Sequence, residues 1–178
     1  KLYLKFKDAK YLADAKILSA YVNANILKSD YRVGEPPLTY TQGTFGEACR
    51  QLYHITQESK YMDKAKQVIN YAATSDRCLR NGILRDEGSS MDQSIFKSVY
   101  IPYAVNLALD EASGSIGKHL ITFLKNNAET LRMNLNHAAY PAMYCNYWWG
   151  EMWKSSEPAS MGAQVSGASL MEGIARLE

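Results

Sequence analysis

The sequence has 178 residues, 47% of them hydrophobic and 21% charged, with a formal net charge of +2. Those values exclude collagen-like, disordered and disulfide-scaffold chains. Near-neutral charge without a Lys/Arg block leaves no electrostatic footprint for nucleic acid or anionic lipid, and the length suits a single domain over residues 1-178 with its own core.

From Asp8 to Leu27 the apolar residues Leu12, Ala15, Ile17, Leu18, Tyr21, Val22 and Ile26 recur at spacings of three and four, which predicts an amphipathic helix. Gly34, Pro36 and Pro37 then force a loop. A second helix is expected from about Gln42, carrying Phe45, Ala48, Cys49, Leu52 and Ile55 inward. A third runs from Lys60 to Ala73 on Met62, Ala65, Val68, Ile69 and Ala72. Thr74 to Ser90 reads as a long loop around Asn81-Gly82 and Gly88, with a short extended piece at Ile83-Leu84. Helix four is expected from Met91 to Ala112, loosened or kinked at Pro102, and helix five from Ile116 to Asn134. His137 to Ala159 holds Tyr140, Tyr144, Tyr147, Trp148, Trp149 and Trp153 without a sustained helical period, and a last helix starts near Met161.

The pattern is all-α. Tyr11-Leu12-Ala13-Asp14-Ala15-Lys16 is echoed by Tyr61-Met62-Asp63-Lys64-Ala65-Lys66, and Gln42 and Phe45 recur as Gln93 and Phe96. A period of about fifty residues is that of stacked helical hairpins, open as a solenoid or closed as a toroid. No apolar run approaches the ~20 residues of a membrane span. Lys1 is followed by no leader pattern and a helical pattern runs into Leu177 and Glu178, so both ends are expected to be cut. Cys49, Cys78 and Cys145 fit one bridge plus a thiol or three thiols equally well. His54, His119 and His137 have no metal-ligand spacing, so neither metal nor cofactor is expected.

Two helix starts stand out. Thr39-Tyr40-Thr41-Gln42 and Ser90-Met91-Asp92-Gln93 each place Gln three residues after a hydroxyl, the capping-box spacing. The other reading is that repeated helix starts converge on the rim of a toroid and hold a ligand there. Gln93 and Lys97 share a helix face that reaches Tyr100, although a lysine so placed also suits a snorkelling surface group. Thirteen Tyr and three Trp against four Phe suit a sugar-binding cleft. The same aromatic loop also suits a plug for the end of the helical stack. Among the carboxylates, Asp86-Glu87 precedes helix four, Asp92 opens it, and Asp110-Glu111 near its far end reads as solvated. No pair stands out as acid and nucleophile.

Taken together, Leu38-Thr39-Tyr40-Thr41-Gln42-Gly43-Thr44-Phe45, Asn81-Gly82-Ile83-Leu84-Arg85, Asp92-Gln93-Ser94-Ile95-Phe96-Lys97 and the helix of Gln164 resemble glycoside hydrolase family 76, the α-1,6-mannanases and related fungal wall proteins. The family's Y-T-Y-N-Q-G stretch here carries Thr41 in place of Asn. The resemblance is strongest from Thr39 to Leu107. It implies an (α/α)6 toroid of helical hairpins in a protein about twice this long, of which this chain is the C-terminal half. It also implies an Asp-Asp catalytic pair, and no Asp-Asp occurs in this sequence.

By the family pattern Tyr40, Gln42, Asp92, Gln93 and Lys97 line the cleft, with Trp148 or Trp149 beside them. The implied function is hydrolysis of α-mannan outside the cell, in the periplasm or at the cell surface, with the catalytic pair outside this chain. The alternative is a helical-repeat module that binds a glycan or a protein partner without catalysis. A metal-dependent terpene-cyclase barrel lacks its acidic clusters. A half ring would expose the apolar faces its missing half covers, so it is expected to dimerise, to aggregate or to exist only with the rest of the protein.

Overall fold

The computed structural model describes residues 1–139 and 143–178. Tyr140, placed by the sequence in the aromatic loop, lies outside the described residues. A short helix, α1 (Leu2–Phe6), precedes α2 (Ala9–Asn25), which starts where the Asp8 carboxylate accepts the Lys10 amide at 2.9 Å. α3 (Thr39–Thr56) and α4 (Ser59–Thr74) form a helical hairpin across a turn at Gln57, with Met62, Ala65, Val68, Ile69 and Ala72 of α4 buried as their spacing requires.

The extended piece at Ile83-Leu84 is one arm of a small hairpin, β1 (Leu79–Arg80) and β2 (Ile83–Leu84). Asn81 and Gly82 supply positive φ, 54° and 76°, at its two turn positions. Helix four is two helices, α5 (Met91–Ser94) and α6 (Phe96–Ala108), and α6 runs unbroken through Pro102. The break falls instead at Ile95, because the Ser94 carbonyl is taken by Ser166 Oγ of the last helix at 2.8 Å while the Ser98 amide turns to Ile95. α6 also stops short of Ala112: Asp110 caps a 3-10 turn, Glu111–Ser113, that leads into α7 (Ser115–Met133). The last helix, α8 (Met161–Ala175), is capped by Ser160.

α6 is buried nearly all round, as its apolar composition demands, and packs on α3, α7 and α8. Contact with α3 is close because α3 carries glycine: a Cβ on Gly43 would lie 2.9 Å from the Tyr100 backbone. Tyr100 in turn reaches across to α4, donating to the Ile69 carbonyl at 2.9 Å, and burial drives its phenol well above the usual tyrosine range. The connections α3 to α4 and α6 to α7 are short, whereas those before α3, before α5 and before α8 are long. The long ones gather at one end of the stack. Cys49, Cys78 and Cys145 are three separate buried thiols; desolvation raises the first two to about 11 and about 12.

α2 is the exception to this burial. None of its residues is buried, Ile17, Leu18 and Tyr21 are each at least 60% exposed, and an apolar cavity of about 920 Å³ lies between α2 and α3, lined by Leu12, Val22, Phe45 and Leu52 among others. Among the described residues no helix is long and apolar enough to cross a membrane.

Candidate functional site

The loop-rich end brings together the starts of α3, α5, α6 and α8 and the aromatic loop. At the start of α3 the expected Thr39–Gln42 capping box does not form. The N-cap is Leu38, which has no side-chain acceptor, and the carboxylate of Glu87 supplies the cap from a distant loop. It accepts the Thr39 amide at 2.6 Å and the Thr39 hydroxyl at 2.5 Å. Gln42 is fully buried, its Oε1 accepting the Val33 amide at 3.3 Å, and its Nε2 has no partner among the described residues. The second box does form in part: the Ser90 hydroxyl accepts the Gln93 amide at 3.2 Å and donates to Gln93 Oε1 at 2.9 Å.

Tyr40 and Phe96 bring the two helix starts into contact, with ring centroids 4.4 Å apart. Asp92 is exposed in the first turn of α5, where the helix dipole favours a carboxylate. Lys97 is not a snorkelling surface group but is buried, donating to the Tyr147 carbonyl at 2.5 Å with its ammonium 4.0 Å from the Trp149 ring centroid. Burial pushes the Lys97 ammonium down to about 8, against the opposing pull of Glu87. Burial likewise raises Glu87 above the usual carboxylate range, opposed by its bonds from Thr39 and by the charge of Lys97.

The aromatic loop closes the end of the stack and leaves part of one ring at the surface. Trp149 and Trp153 are buried and plug the stack, whereas Trp148 is half-buried with the Arg80 guanidinium 4.0 Å from its ring centroid. Side-chain amides supply most of the loop's anchors. Gln164 pairs with Cys145 through its amide at 3.0 Å and its carbonyl at 2.9 Å, Asn134 holds the Trp149 carbonyl and Asn136 the Trp153 carbonyl. Glu87, Asn134 and Asn136 carried no recognisable motif, since each acts on backbone far away in sequence.

Of the seven residues expected to line a cleft, all stand at this end. Tyr40, Asp92, Gln93 and Trp148 have surface to offer, and Gln42, Lys97 and Trp149 lie beneath them. Asp110, read from sequence as solvated, sits at the opposite end with its side chain only 4% exposed, paired with Arg50 at 2.9 Å and with His54. A polar pocket of about 400 Å³ surrounds it. Desolvation opposes the shift, but the bonds from His54 and Arg50 hold the Asp110 carboxyl below its ordinary value. No cluster of His, Cys, Asp and Glu among the described residues is built to hold a metal ion.

The family model for glycosyl hydrolase family 76 matches residues 3–176. No curated protein matches the sequence. Among solved structures, the GH76A α-1,6-mannanase from Salegentibacter sp. HEL1_6 superposes with a TM-score of 0.89 at 24% identity, covering 99% of this chain and 55% of that one. An inactive variant of that enzyme, altered at two adjacent aspartates and bound to an α-1,6-linked mannose tetrasaccharide, gives 0.87 at 24% identity with the same coverage. The Lin0763 protein from Listeria innocua gives 0.86 at 26% identity, covering 99% of this chain and 51% of that one. The fold is therefore that of the six-hairpin α/α toroid, and the chain spans about half the length of the structures it matches.

Proposed function

The chain belongs to glycosyl hydrolase family 76, and from that premise we propose that its loop-rich end is one wall of a cleft in which α-1,6-mannan is hydrolysed. The observation that carries this reading is the convergence of four helix starts and a firmly anchored aromatic loop at a single end. Glycoside cleavage of this class uses two carboxylates, one as acid and base, the other as nucleophile or as the base that activates water. The sequence contains no Asp-Asp pair, so in this reading the pair comes from residues outside this chain.

What these residues contribute is binding and orientation. Gln93 and Asp92 offer polar groups for sugar hydroxyls, Tyr40 and Trp148 offer aromatic faces for the ring, and Gln42, Lys97 and Trp149 hold those groups in place from below. On the same reading the protein works where mannan is met, at the cell surface, in the periplasm or outside. Replacing Gln93 or Trp148 by Ala in the active protein raises KM for α-1,6-mannooligosaccharides about tenfold, as expected for one lost sugar contact of about 1.4 kcal/mol. Unchanged kinetics in both variants contradict the assignment. Saturable mannan binding with no turnover in the wild type marks a binding module instead.

A further inference from the structure

The anchors of the aromatic loop differ in kind. Asn134, Asn136 and Gln164 are neutral amides, and a neutral amide is the economical way to satisfy a buried carbonyl. Tyr147 is held by a buried ammonium, which costs far more to desolvate than an amide. Three elements meet at that charge. Lys97 belongs to the first turn of α6, its Nζ lies against the Tyr147 carbonyl and the Trp149 ring, and its neighbouring opposite charge, Glu87, is the group that caps α3 at Thr39. Tyr40, the next residue along, packs on Phe96, the residue before Lys97.

We propose that Lys97 is a positioning residue: its ammonium, with Glu87 as partner charge, pins the Tyr147 carbonyl and the Trp149 ring and so fixes where Trp148 stands at the cleft. The consequence for Trp148 rests on the glycan reading of this end; the pinning does not. In this role Lys97 acts through the loop rather than on the sugar. A neutral amine has no cation to place over Trp149 and donates more weakly to Tyr147, so the surroundings of Trp149 change when Lys97 loses its proton. The groups facing it are Glu87 and Asp86 from the preceding loop, Cys145 from the aromatic loop, and the Trp149 ring; Arg85 stands near Glu87.

Tryptophan emission and its quenching by acrylamide, followed against pH in the whole protein, test the pinning without any glycan. The wild type shows a transition centred at about 8. Lys97→Met shows none there, and Glu87→Gln moves the midpoint down, because the charge that favours the ammonium is gone. A transition that survives unchanged in Lys97→Met, or is absent from the wild type, overturns the proposal. Should Lys97→Met fail to fold, Glu87→Gln decides: an unmoved midpoint overturns the proposal equally.

In the same preparations Lys97→Met weakens α-1,6-mannotetraose binding about fivefold and raises KM more than it lowers kcat. A wild type that titrates as described but binds no mannotetraose refutes the glycan reading and leaves the pinning intact. One that binds the sugar with no Lys97-dependent transition does the reverse.

Discussion

Lys97 and Glu87 show how much a single residue position decides here. A base whose folded value lies below its unfolded one binds fewer protons when folded, so its effect on stability rises with pH between about 8 and the ordinary lysine value of 10.5. Relative to Lys97→Met, the wild type therefore gains roughly 3 kcal/mol as pH climbs through that window. Urea unfolding of both proteins near pH 7 and near pH 10 measures the difference, and a constant gap contradicts it. Glu87→Ala removes the cap from α3 and costs about 1–2 kcal/mol, read in the same unfolding experiment. Ser90→Ala, which removes a local cap from a four-residue helix, costs less.

The same residues show what the sequence could disclose. Two identical-looking spacings, Thr39 to Gln42 and Ser90 to Gln93, part company because a capping box needs its hydroxyl at the N-cap. Thr39 is already inside the helix and bonded to Glu87. Local pattern sees the Ser90 box and cannot see a cap that arrives from a loop nearly fifty residues on. The burial of Lys97 is hidden from the sequence for a related reason: a lysine beside aromatic residues is ordinarily a surface group, and only the fold of the aromatic loop puts Tyr147 and Trp149 over it.

At the scale of elements, periodicity located α2, α3, α4, α7 and α8 closely, since each buries a stripe at helical spacing or, in α2, lays one along the cavity. α6 has little such stripe because nearly all of it is buried. Its boundaries were set by tertiary bonds, Ser166 to Ser94 at one end and Asp110 at the other, which no local window contains. Helix packing also turns on glycines whose role is close approach. Gly43→Ala gains about 1 kcal/mol of helix propensity, yet its methyl meets the Tyr100 backbone and cannot be accommodated without moving α6. The expected outcome is a net loss of about 1–3 kcal/mol, while Thr44→Ala at the neighbouring exposed position stays within about 0.5 kcal/mol. Equal thermal midpoints for the two variants contradict the packing argument.

The whole molecule is a stack of hairpins with one unfinished side. α4 buries Met62, Ala65, Val68 and Ala72 against α3, whereas the matching positions of the internal repeat in α2, Leu12, Ala15, Leu18 and Val22, line an open apolar cavity. Apolar surface of that extent drives association. The 178-residue chain on its own is expected to self-associate with rising concentration, and Leu18→Glu to shift it toward monomer, both visible by sedimentation velocity. A concentration-independent monomer contradicts that expectation. The polar cluster of Arg50, His54 and Asp110 lies at the opposite end from the aromatic loop, so the molecule offers two chemically different ends, and glycan is proposed to bind at the aromatic one.

Hydrogen exchange, read by mass spectrometry with and without α-1,6-mannotetraose, tests that assignment most directly. Exchange is expected to slow in the segments containing Thr39–Gln42, Ser89–Lys97 and Tyr144–Trp149, and to stay unchanged in those containing Arg50–His54 or Asp110–Ser113. Protection confined to the Asp110 end, or no protection at a sugar concentration that saturates turnover, would contradict it.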